Sequence, residues 1–219
     1  MYQPPLFRED RLEVQHALIR SHPLGLLVTA GAGGLMGNFV PFTLDAGGPD
    51  RGTLRVHVAR ANPQWREFDG KVECMVVFQG PHAYVTPSWY ATKQETGKVV
   101  PTWNYATVHA WGVGAVHDDA IWLRKQIEQL TVERESKRAA PWAVEDAPED
   151  FVAAQMRGIV GIEIPIARIE GKWKVSQNRP EADRAGVHAG LVADGAAHAP
   201  MAAMVADRGG IATTDGKDG

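Results

Sequence analysis

The sequence predicts a mainly β fold with helical additions (α+β), in which short antiparallel strands form a closed or partly closed barrel. One observation behind this prediction is a series of short strand-like runs. In residues 54–59, for example, apolar and polar side chains alternate with the period of a half-buried strand. The other is that tight turns separate most of these runs, which argues against a doubly wound parallel sheet.

The first predicted element is a helix over about residues 9–22, which Pro23 ends. The strands that follow are predicted from apolar, β-branched and alternating runs between turn residues. They cover residues 25–30, 38–44, 54–59, 72–78, 83–86, 107–117 and 162–166.

Turns and two further helices connect these strands. Gly80-Pro81 is predicted as one turn, and Gly171 as part of another. One helix is predicted over about residues 118–137 with an aspartate cap, and a shorter one over about residues 146–158. Residues 193–219 are rich in alanine, glycine, aspartate and threonine, so we expect a mostly disordered tail there. One short helical turn at Met201, Met204 and Val205 is the alternative interpretation.

Composition excludes several classes of protein. The 219 residues suit one domain or two small ones, and 23 basic against 26 acidic residues give no excess of positive charge that would indicate a DNA-binding protein. Cys74 is the only cysteine, so no intramolecular disulfide is possible, and its apolar neighbours favour a buried thiol. The sequence has no apolar run long enough to span a bilayer and no signal peptide at its start, so the expected location is the cytoplasm.

Metal ligation is not indicated by the histidine spacing. None of the eight histidines forms an i,i+4 pair on a helix, and cysteine pairs are absent. His57, His82 and His109 could converge in three dimensions, which leaves a haem ligand open, although strand histidines are more often structural.

A glycine-rich stretch at residues 31–37 follows a strand and invites comparison with a dinucleotide-binding loop. The next segment is strand-like and contains Pro41, whereas a phosphate-binding loop needs a helix whose N-terminal amides face the phosphate. We therefore predict a β-hairpin loop at these glycines.

Residues 60–65 are a better phosphate candidate. Asn62 followed by Pro63 predicts a capped short helix directly after a strand, and Arg60 lies beside its first amides. An ordinary capped connection between two strands is the alternative interpretation.

Two aromatic segments and one basic segment are further candidates. Residues 84–90 and 101–105 carry tryptophan and tyrosine beside hydroxyl and amide groups, which suits a planar heterocycle. Residues 172–180 combine cations and amides after a strand. Core or dimer packing, and a solvated basic turn, are the respective alternatives.

Taken together and in order, these segments resemble the PaiB family of FMN-binding negative transcriptional regulators. The resemblance covers about residues 1–192. The motifs that carry it are MYQPPLF (1–7), HP (22–23), HVARANPQW (57–65), FQGPHAYV (78–85), PSWY (87–90), VPTWNY (100–105) and GKWKVSQNR (171–179).

The resemblance implies an antiparallel split β-barrel of the FMN-binding and pyridoxamine-phosphate oxidase type over residues 1–192. It also implies a homodimer with FMN between the subunits, and a role in regulating gene expression. One departure is Phe39, which stands where family members often have a histidine before an aliphatic-proline pair.

Our hypothesis for the FMN site combines these segments. The strand-to-helix edge at residues 57–62 receives the phosphate, residues 103–105 frame the ring or ribityl chain, and residues 174–177 approach, with the partner subunit as one source. The predicted cofactor-binding residues are Asn38, Val40, His57, Ala59, Arg60, Asn62, Trp103, Asn104, Tyr105, Lys174, Ser176 and Gln177.

Three functional classes remain open from the sequence. The first is an FMN-containing regulator, acting directly or indirectly, although no helix-turn-helix is recognisable. The second is an FMN-dependent oxidoreductase that uses NADH or NADPH, for which no catalytic acid or base is identified. The third is a haem-binding split barrel.

Overall fold

The computed structural model describes residues 1–47 and 51–211. The chain divides into two compact units. Unit 1 comprises Met1–Asp10, Gln79–Thr107 and the chain from Gly171 onward, and unit 2 comprises Arg11–Phe78 and Val108–Glu170. The single domain expected over residues 1–192 stays a prediction.

Ten strands lie in the described part of the chain. They are β1 (Arg8–Glu9), β2 (Leu24–Gly31), β3 (Gly34–Pro41), β4 (Thr43–Asp45), β5 (Thr53–Ala59), β6 (Glu73–Val85), β7 (Thr102–Val113), β8 (Ala115–His117), β9 (Ile159–Pro165) and β10 (Arg168–Lys174).

Six α-helices and several short 3-10 helices connect them. The α-helices are α1 (Leu12–Ser21), α2 (Thr92–Thr96), α3 (Ala120–Glu135), α4 (Glu149–Met156), α5 (Glu181–Ala193) and α6 (Ala199–Gly209). The 3-10 helices are Pro5–Phe7, Pro63–Glu67, Pro87–Trp89, Val144–Asp146 and Ala196–His198.

Unit 2 contains an antiparallel sheet whose strand order is β4, β5, β9, β8. The alternation predicted over residues 54–59 is confirmed, because Leu54, Val56 and Val58 are buried while Arg55 and His57 are only partly covered. Val56 lies opposite Ile162 of β9, which is also buried. The buried β-branched pairs stabilise this sheet and leave its other face for polar side chains.

The glycine-rich stretch forms the predicted β-hairpin. Strands β2 and β3 pair in register from Leu24 opposite Pro41 to Gly31 opposite Gly34, which leaves Ala32-Gly33 as the turn. Gly34 has a φ of 100°, a conformation that favours glycine. Because no helix follows these glycines, they present no helical amides to a phosphate.

In unit 1, strand segments lie in the order β1, β10, β7, β6, with Arg8 opposite Lys172. Helices α5 and α6 pack together and bury an apolar cluster. The cluster members are Ala83, Val85, Tyr90, Val175, Val187, Leu191, Met201, Ala202 and Val205.

Two predicted turns are wrong. Gly80-Pro81 lies inside β6, which is continuous from Glu73 to Val85, and Gly171 lies inside β10. The turn before β10 is instead at Ile166-Ala167, where Ile166 N donates to the Gly52 carbonyl and Ala167 N to the Trp111 carbonyl. Glycine and proline are compatible with extended backbone, so their local turn preference does not decide the outcome.

The prediction of a disordered tail is also wrong for most of its length. Residues 199–209 form helix α6, in which Met201 and Val205 are buried. Met201, Ala202, Val205 and Ala206 recur at helical spacing, so one apolar stripe packs in unit 1 despite the surrounding small residues. Residues 212–219 lie outside the described residues.

Candidate FMN site

The Arg60 guanidinium is held by groups within unit 2. It donates to both carboxylate oxygens of Asp118, to the Arg157 carbonyl at 2.8 Å and to the Ile159 carbonyl at 3.0 Å. The hydrogen bonds between Arg60 and Asp118 lower the pKa of Asp118 and raise that of Arg60. Most of the donors that the sequence assigned to a phosphate are thus already occupied.

Asn62 performs the capping role that the sequence predicted. Its side-chain oxygen accepts from Gln64 N at 3.0 Å, and the helix that follows is the 3-10 helix Pro63–Glu67. The Asn62 side chain therefore serves the backbone, and a further ligand contact by this residue stays a prediction.

Gln64 is the buried side chain of this segment and was missed by the sequence reasoning. It is fully buried, and its amide nitrogen donates to the Leu27 carbonyl at 3.0 Å. Its oxygen accepts from Asn38 Nδ2 at 2.9 Å, so the predicted site residue Asn38 is held by Gln64. Nothing local in the sequence identifies Gln64, because its partners lie in β2 and β3.

The remaining predicted residues of unit 2 differ in exposure. Val40 is buried in the core, whereas Ala59 is exposed at the end of β5. His57 is half-buried, and its Nδ1 lies 2.6 Å from the side-chain oxygen of Gln126 in α3. Ligand contacts by these residues remain predictions.

Unit 1 brings Asn104, Lys174 and Ser176 together around a small pocket of about 40 Å³. The pocket is lined by cations, hydroxyls and amides: Thr102, Asn104, Lys174, Ser176, Asn178 and Arg179. Lys174 Nζ donates to Thr102 Oγ1 and, at 2.7 Å, to the Trp103 carbonyl. Thr102, Asn178 and Arg179 were absent from the predicted site, although Asn178 and Arg179 belong to the basic segment that the sequence singled out.

The electrostatics of this pocket favour an anion. Burial lowers the pKa of Lys174, and the neighbouring cations Lys172 and Arg179 lower it further. Within residues 1–47 and 51–211, no carboxylate lines the pocket to offset this repulsion. A bound anionic group would stabilise the charged lysine, and the FMN phosphate is such a group. Because one water occupies about 30 Å³ of liquid, the pocket fits a small polar group and not a flavin ring.

Asn104 and Ser176 form a reciprocal pair. Asn104 Nδ2 donates to Ser176 Oγ at 2.9 Å, and Ser176 Oγ lies 3.2 Å from Asn104 Oδ1. Both residues are buried, and Ser176 has a φ of 67°, in the left-handed region. The Gln177 side chain binds the backbone of its own segment, because its oxygen accepts from Val175 N at 2.8 Å.

Exposed aromatic side chains neighbour these polar residues along the chain, although they do not line the pocket. Trp103 is 50% exposed, stacks on His82 with ring centres 6.0 Å apart, and donates from its indole nitrogen to His82 Nδ1 at 3.2 Å. Tyr84 meets the Trp103 ring edge-on. Tyr105 faces Lys172, whose ammonium lies 5.3 Å from the ring centre. Trp103 and Tyr84 therefore offer aromatic surface to a planar group.

Residues 1–47 and 51–211 hold no group of three or more histidine, cysteine or acidic residues placed to bind a metal ion. In the same residues, no helix has both the length and the apolar character needed to cross a membrane.

The family comparison covers most of the chain. Residues 1–168 match the family model described as "Putative FMN-binding domain". An uncharacterized protein of Emericella nidulans is 38% identical over 226 residues, which covers 87% of this chain and 90% of the relative. "Protease synthase and sporulation protein PAI 2" of Bacillus subtilis is 31% identical over 183 residues, covering 84% of this chain and 85% of that protein.

Solved structures show the same fold at low identity. The FAD and heme binding protein from Mycobacterium smegmatis has a TM-score of 0.55 at 16% identity, covering 76% of this chain and 73% of that one. The conserved hypothetical protein Rv2991 from Mycobacterium tuberculosis has a TM-score of 0.54 at 13% identity, covering 82% and 94%. These likenesses confirm the predicted α+β split-barrel fold class.

The predicted PaiB resemblance is confirmed by the family model and by the Bacillus relative. The chain therefore belongs to the FMN-binding family that this model describes, together with the PaiB-type protein of Bacillus subtilis, and its cofactor is FMN.

Proposed function

We propose that this protein binds FMN through the pocket that Lys174 and Arg179 line, which we call the Lys174–Arg179 pocket. We also propose that it acts as a PaiB-type regulator whose activity depends on the redox state of the bound flavin. The pocket lined by Lys174, Arg179, Asn104 and Ser176 supports the cofactor site, because it gathers cations and donors without a carboxylate. The regulatory role is supported by the Bacillus relative, which is named as a protease synthase and sporulation protein.

In this proposal the FMN phosphate lies against Lys174 and Arg179, and Asn104 and Ser176 orient it or the ribityl hydroxyls. The exposed face of Trp103 packs on the flavin ring. When bound, FMN supplies redox chemistry, while the side chains of the chain bind and orient it. Asn38, Val40, His57, Ala59, Tyr105 and Gln177 remain predicted contacts.

The phosphate has two rival positions that a pair of variants separates. Lys174→Met removes a cation whose pocket is lined by no carboxylate of the described residues. Arg60→Ala with Asn62→Ala removes the phosphate position inferred from the sequence, where Asp118 already neutralises the arginine. We expect Lys174→Met to weaken FMN binding about tenfold to a hundredfold, in keeping with a lost charge-assisted hydrogen bond. The double variant should change the Kd less. Quenching of FMN fluorescence measures both.

Lys98→Met is the matched control, because it removes an exposed lysine of unit 1 outside the pocket. If the double variant loses FMN while Lys174→Met binds normally, the phosphate belongs at Arg60 and the Lys174 assignment is wrong. If the wild-type chain carries no flavin absorbance and FMN does not bind, the proposed function itself fails.

A second candidate is an FMN-dependent oxidoreductase, favoured by the aromatic surface of Trp103 and Tyr84, on which a nicotinamide or another planar substrate can stack. Anaerobic addition of NADH or NADPH distinguishes the two functions. Rapid bleaching of the flavin band indicates the oxidoreductase, and a steeply salt-dependent shift of a defined DNA fragment indicates a regulator that contacts DNA directly. A Soret band after haem addition would favour the haem-binding alternative.

We further propose that the chain forms a homodimer and that it is located in the cytoplasm. Sedimentation equilibrium of the FMN-loaded chain should give twice the chain mass and one flavin per chain. A monomer that retains FMN would contradict the dimer while leaving the cofactor assignment intact.

A further inference from the structure

The proposed phosphate pocket belongs to unit 1, whereas unit 2 contains a cavity of about 270 Å³. This cavity lies between helices α3 and α4, beside His57 of β5 and Ile159 of β9, and we call it the α3–α4 cavity. An apolar cavity of about 150 Å³ is large enough to hold benzene. The α3–α4 cavity therefore has room for a molecule with one aromatic ring and a small substituent.

The lining of the α3–α4 cavity favours a neutral occupant. Among the described residues, no lysine, arginine or carboxylate lines it. Most of the wall is aliphatic or aromatic, and its polar side chains are His57, Thr131 and Gln155. Because a charged group is costly to bring into surroundings that offer it no counter-charge, the ligand that fits this wall carries no charge.

Two aromatic side chains of the wall favour a planar ligand. Trp142 is 49% exposed and Phe151 is 55% exposed, so both present apolar surface to water. They line the same cavity, which distinguishes them from apolar side chains that are exposed singly. An aromatic ring placed between them would contact ring surface and remove this apolar area from water.

His57 supplies an acceptor at one end of the cavity. Its Nδ1 lies 2.6 Å from Oε1 of Gln126, and because an amide oxygen can only accept, Nδ1 carries the hydrogen. In the neutral ring, Nε2 is then an acceptor. It makes no hydrogen bond within residues 1–47 and 51–211 and is not among their solvent-shielded unpaired atoms, so a ligand can reach it.

We propose that the α3–α4 cavity binds a neutral phenol, whose ring lies against Trp142 and Phe151 and whose hydroxyl donates to His57 Nε2. A phenol matches the site because it combines a planar apolar body with one donor and no charge. The lining residues all belong to unit 2, so the inference goes beyond the proposed function. His57 is also a predicted FMN contact, and the experiment therefore includes FMN.

The test uses p-cresol as the phenol at pH 7.5, where its hydroxyl is protonated. The first comparison probe is 4-fluorotoluene, which has nearly the same shape and no donor. The second is 4-hydroxybenzoate, which keeps the hydroxyl and adds a negative charge. Isothermal titration of the full chain, with and without saturating FMN, measures binding of each probe.

We expect p-cresol to bind, with the same affinity in the presence of FMN. The affinity for 4-fluorotoluene should be about tenfold lower, because the hydrogen bond to His57 is lost. The affinity for 4-hydroxybenzoate should also be at least about tenfold lower, because its carboxylate finds no cation in the cavity.

Three variants locate the bound probe. His57→Phe should abolish the preference for p-cresol over 4-fluorotoluene, because it removes the acceptor and keeps a flat ring. Phe151→Ala should weaken binding of both probes about tenfold, because it removes one aromatic wall. Val132→Ala is the control, since Val132 of α3 is 63% exposed and does not line the cavity. Because His57 holds the buried Gln126, the exposed Phe151 provides the result that does not depend on folding.

Several results would overturn the proposal. One is absence of p-cresol binding by the wild-type chain, and another is equal binding of 4-fluorotoluene, which would exclude the hydroxyl contact with His57. Loss of binding in Val132→Ala but not in Phe151→Ala would place the probe elsewhere. Displacement of p-cresol by FMN would assign the cavity to the flavin site.

Discussion

Single residues in unit 1 determine the geometry of the pocket that is proposed to bind the FMN phosphate. Ser176 has a left-handed backbone, which is unfavourable for a residue with a Cβ by about 1–2 kcal/mol. The hydrogen bonds between its hydroxyl and Asn104 help to compensate for this cost, and they also orient the amide toward the pocket. The left-handed turn directs the chain from Lys174 toward Arg179.

We therefore expect Ser176→Gly to be less destabilising than Ser176→Ala. Both variants lose the hydrogen bonds with Asn104 and leave its buried amide unsatisfied, but glycine relieves the left-handed strain that alanine retains. The difference in the free energy of unfolding should be about 1 kcal/mol in favour of glycine. Urea denaturation measures it, and an alanine variant as stable as the glycine variant would contradict the explanation.

Cys74 illustrates how burial controls reactivity at one residue. Burial raises the pKa of its thiol to about 12, and Sγ donates to the Gly112 carbonyl at 3.3 Å, a bond that only the protonated thiol can make. At pH 8 its thiolate fraction is thus orders of magnitude smaller than that of an exposed cysteine.

A thiol reagent such as DTNB should label the native chain very slowly at pH 8 and label one thiol per chain immediately in denaturant. Because Cys74 is the only cysteine, the signal has one source. Fast labelling of the native protein would contradict the buried, protonated thiol.

At the scale of elements, helices α5 and α6 were hidden from the sequence reasoning by their small residues. Gly186 and Gly190 of α5 are one helical turn apart, and both lie against Trp89. A Cβ at Gly186 would be 2.0 Å from the Trp89 carbonyl oxygen, and one at Gly190 would be 2.3 Å from its ring. Glycine weakens helix propensity but permits this close packing, so tertiary contact outweighs the local preference.

The packing of α6 leads to a stability prediction. Met201 is 1% exposed, whereas Val192 at the end of α5 is 57% exposed. Met201→Ala should lower the free energy of unfolding by about 2–5 kcal/mol through lost burial and a residual cavity. Val192→Ala is the control and should change it by less than about 0.5 kcal/mol. Thermal and urea unfolding measure both, and equal, small effects would indicate a loosely attached segment.

For the whole molecule, cofactor binding and stability are linked. FMN at a concentration about 100 times its Kd should stabilise the chain by about 2.7 kcal/mol if it binds only the folded state. For a chain of this length, that corresponds to a rise in Tm of about 5–11 °C. Riboflavin lacks the phosphate and should give a much smaller shift at the same concentration. An equal shift with riboflavin would contradict a phosphate anchor at Lys174.

Much of the fold was predictable because strands with one buried face carry a period of two. Residues 54–59 are the clear case, and Asp119 caps α3 as local chemistry suggests, with Oδ1 accepting from Trp122 N at 2.8 Å. The turn predicted at Gly80-Pro81 failed because the partners of an extended strand lie far away in the sequence. In the candidate site too, contacts within a segment were predicted and contacts between distant segments were not. Asn62 caps as predicted, but the engagement of Arg60 by Asp118 spans 58 residues.

The sequence by itself determined the strand-rich class, the hairpin at the glycines, and the ordered motifs that assign the chain to an FMN-binding family. These properties depend on local period, turn chemistry and residue order, which are readable along one chain. Only the tertiary structure decided that Arg60 is neutralised, that Lys174 and Arg179 line one pocket, and that α6 packs as a helix. The physical reason is that charge pairing, burial and close packing depend on residues brought together from distant positions.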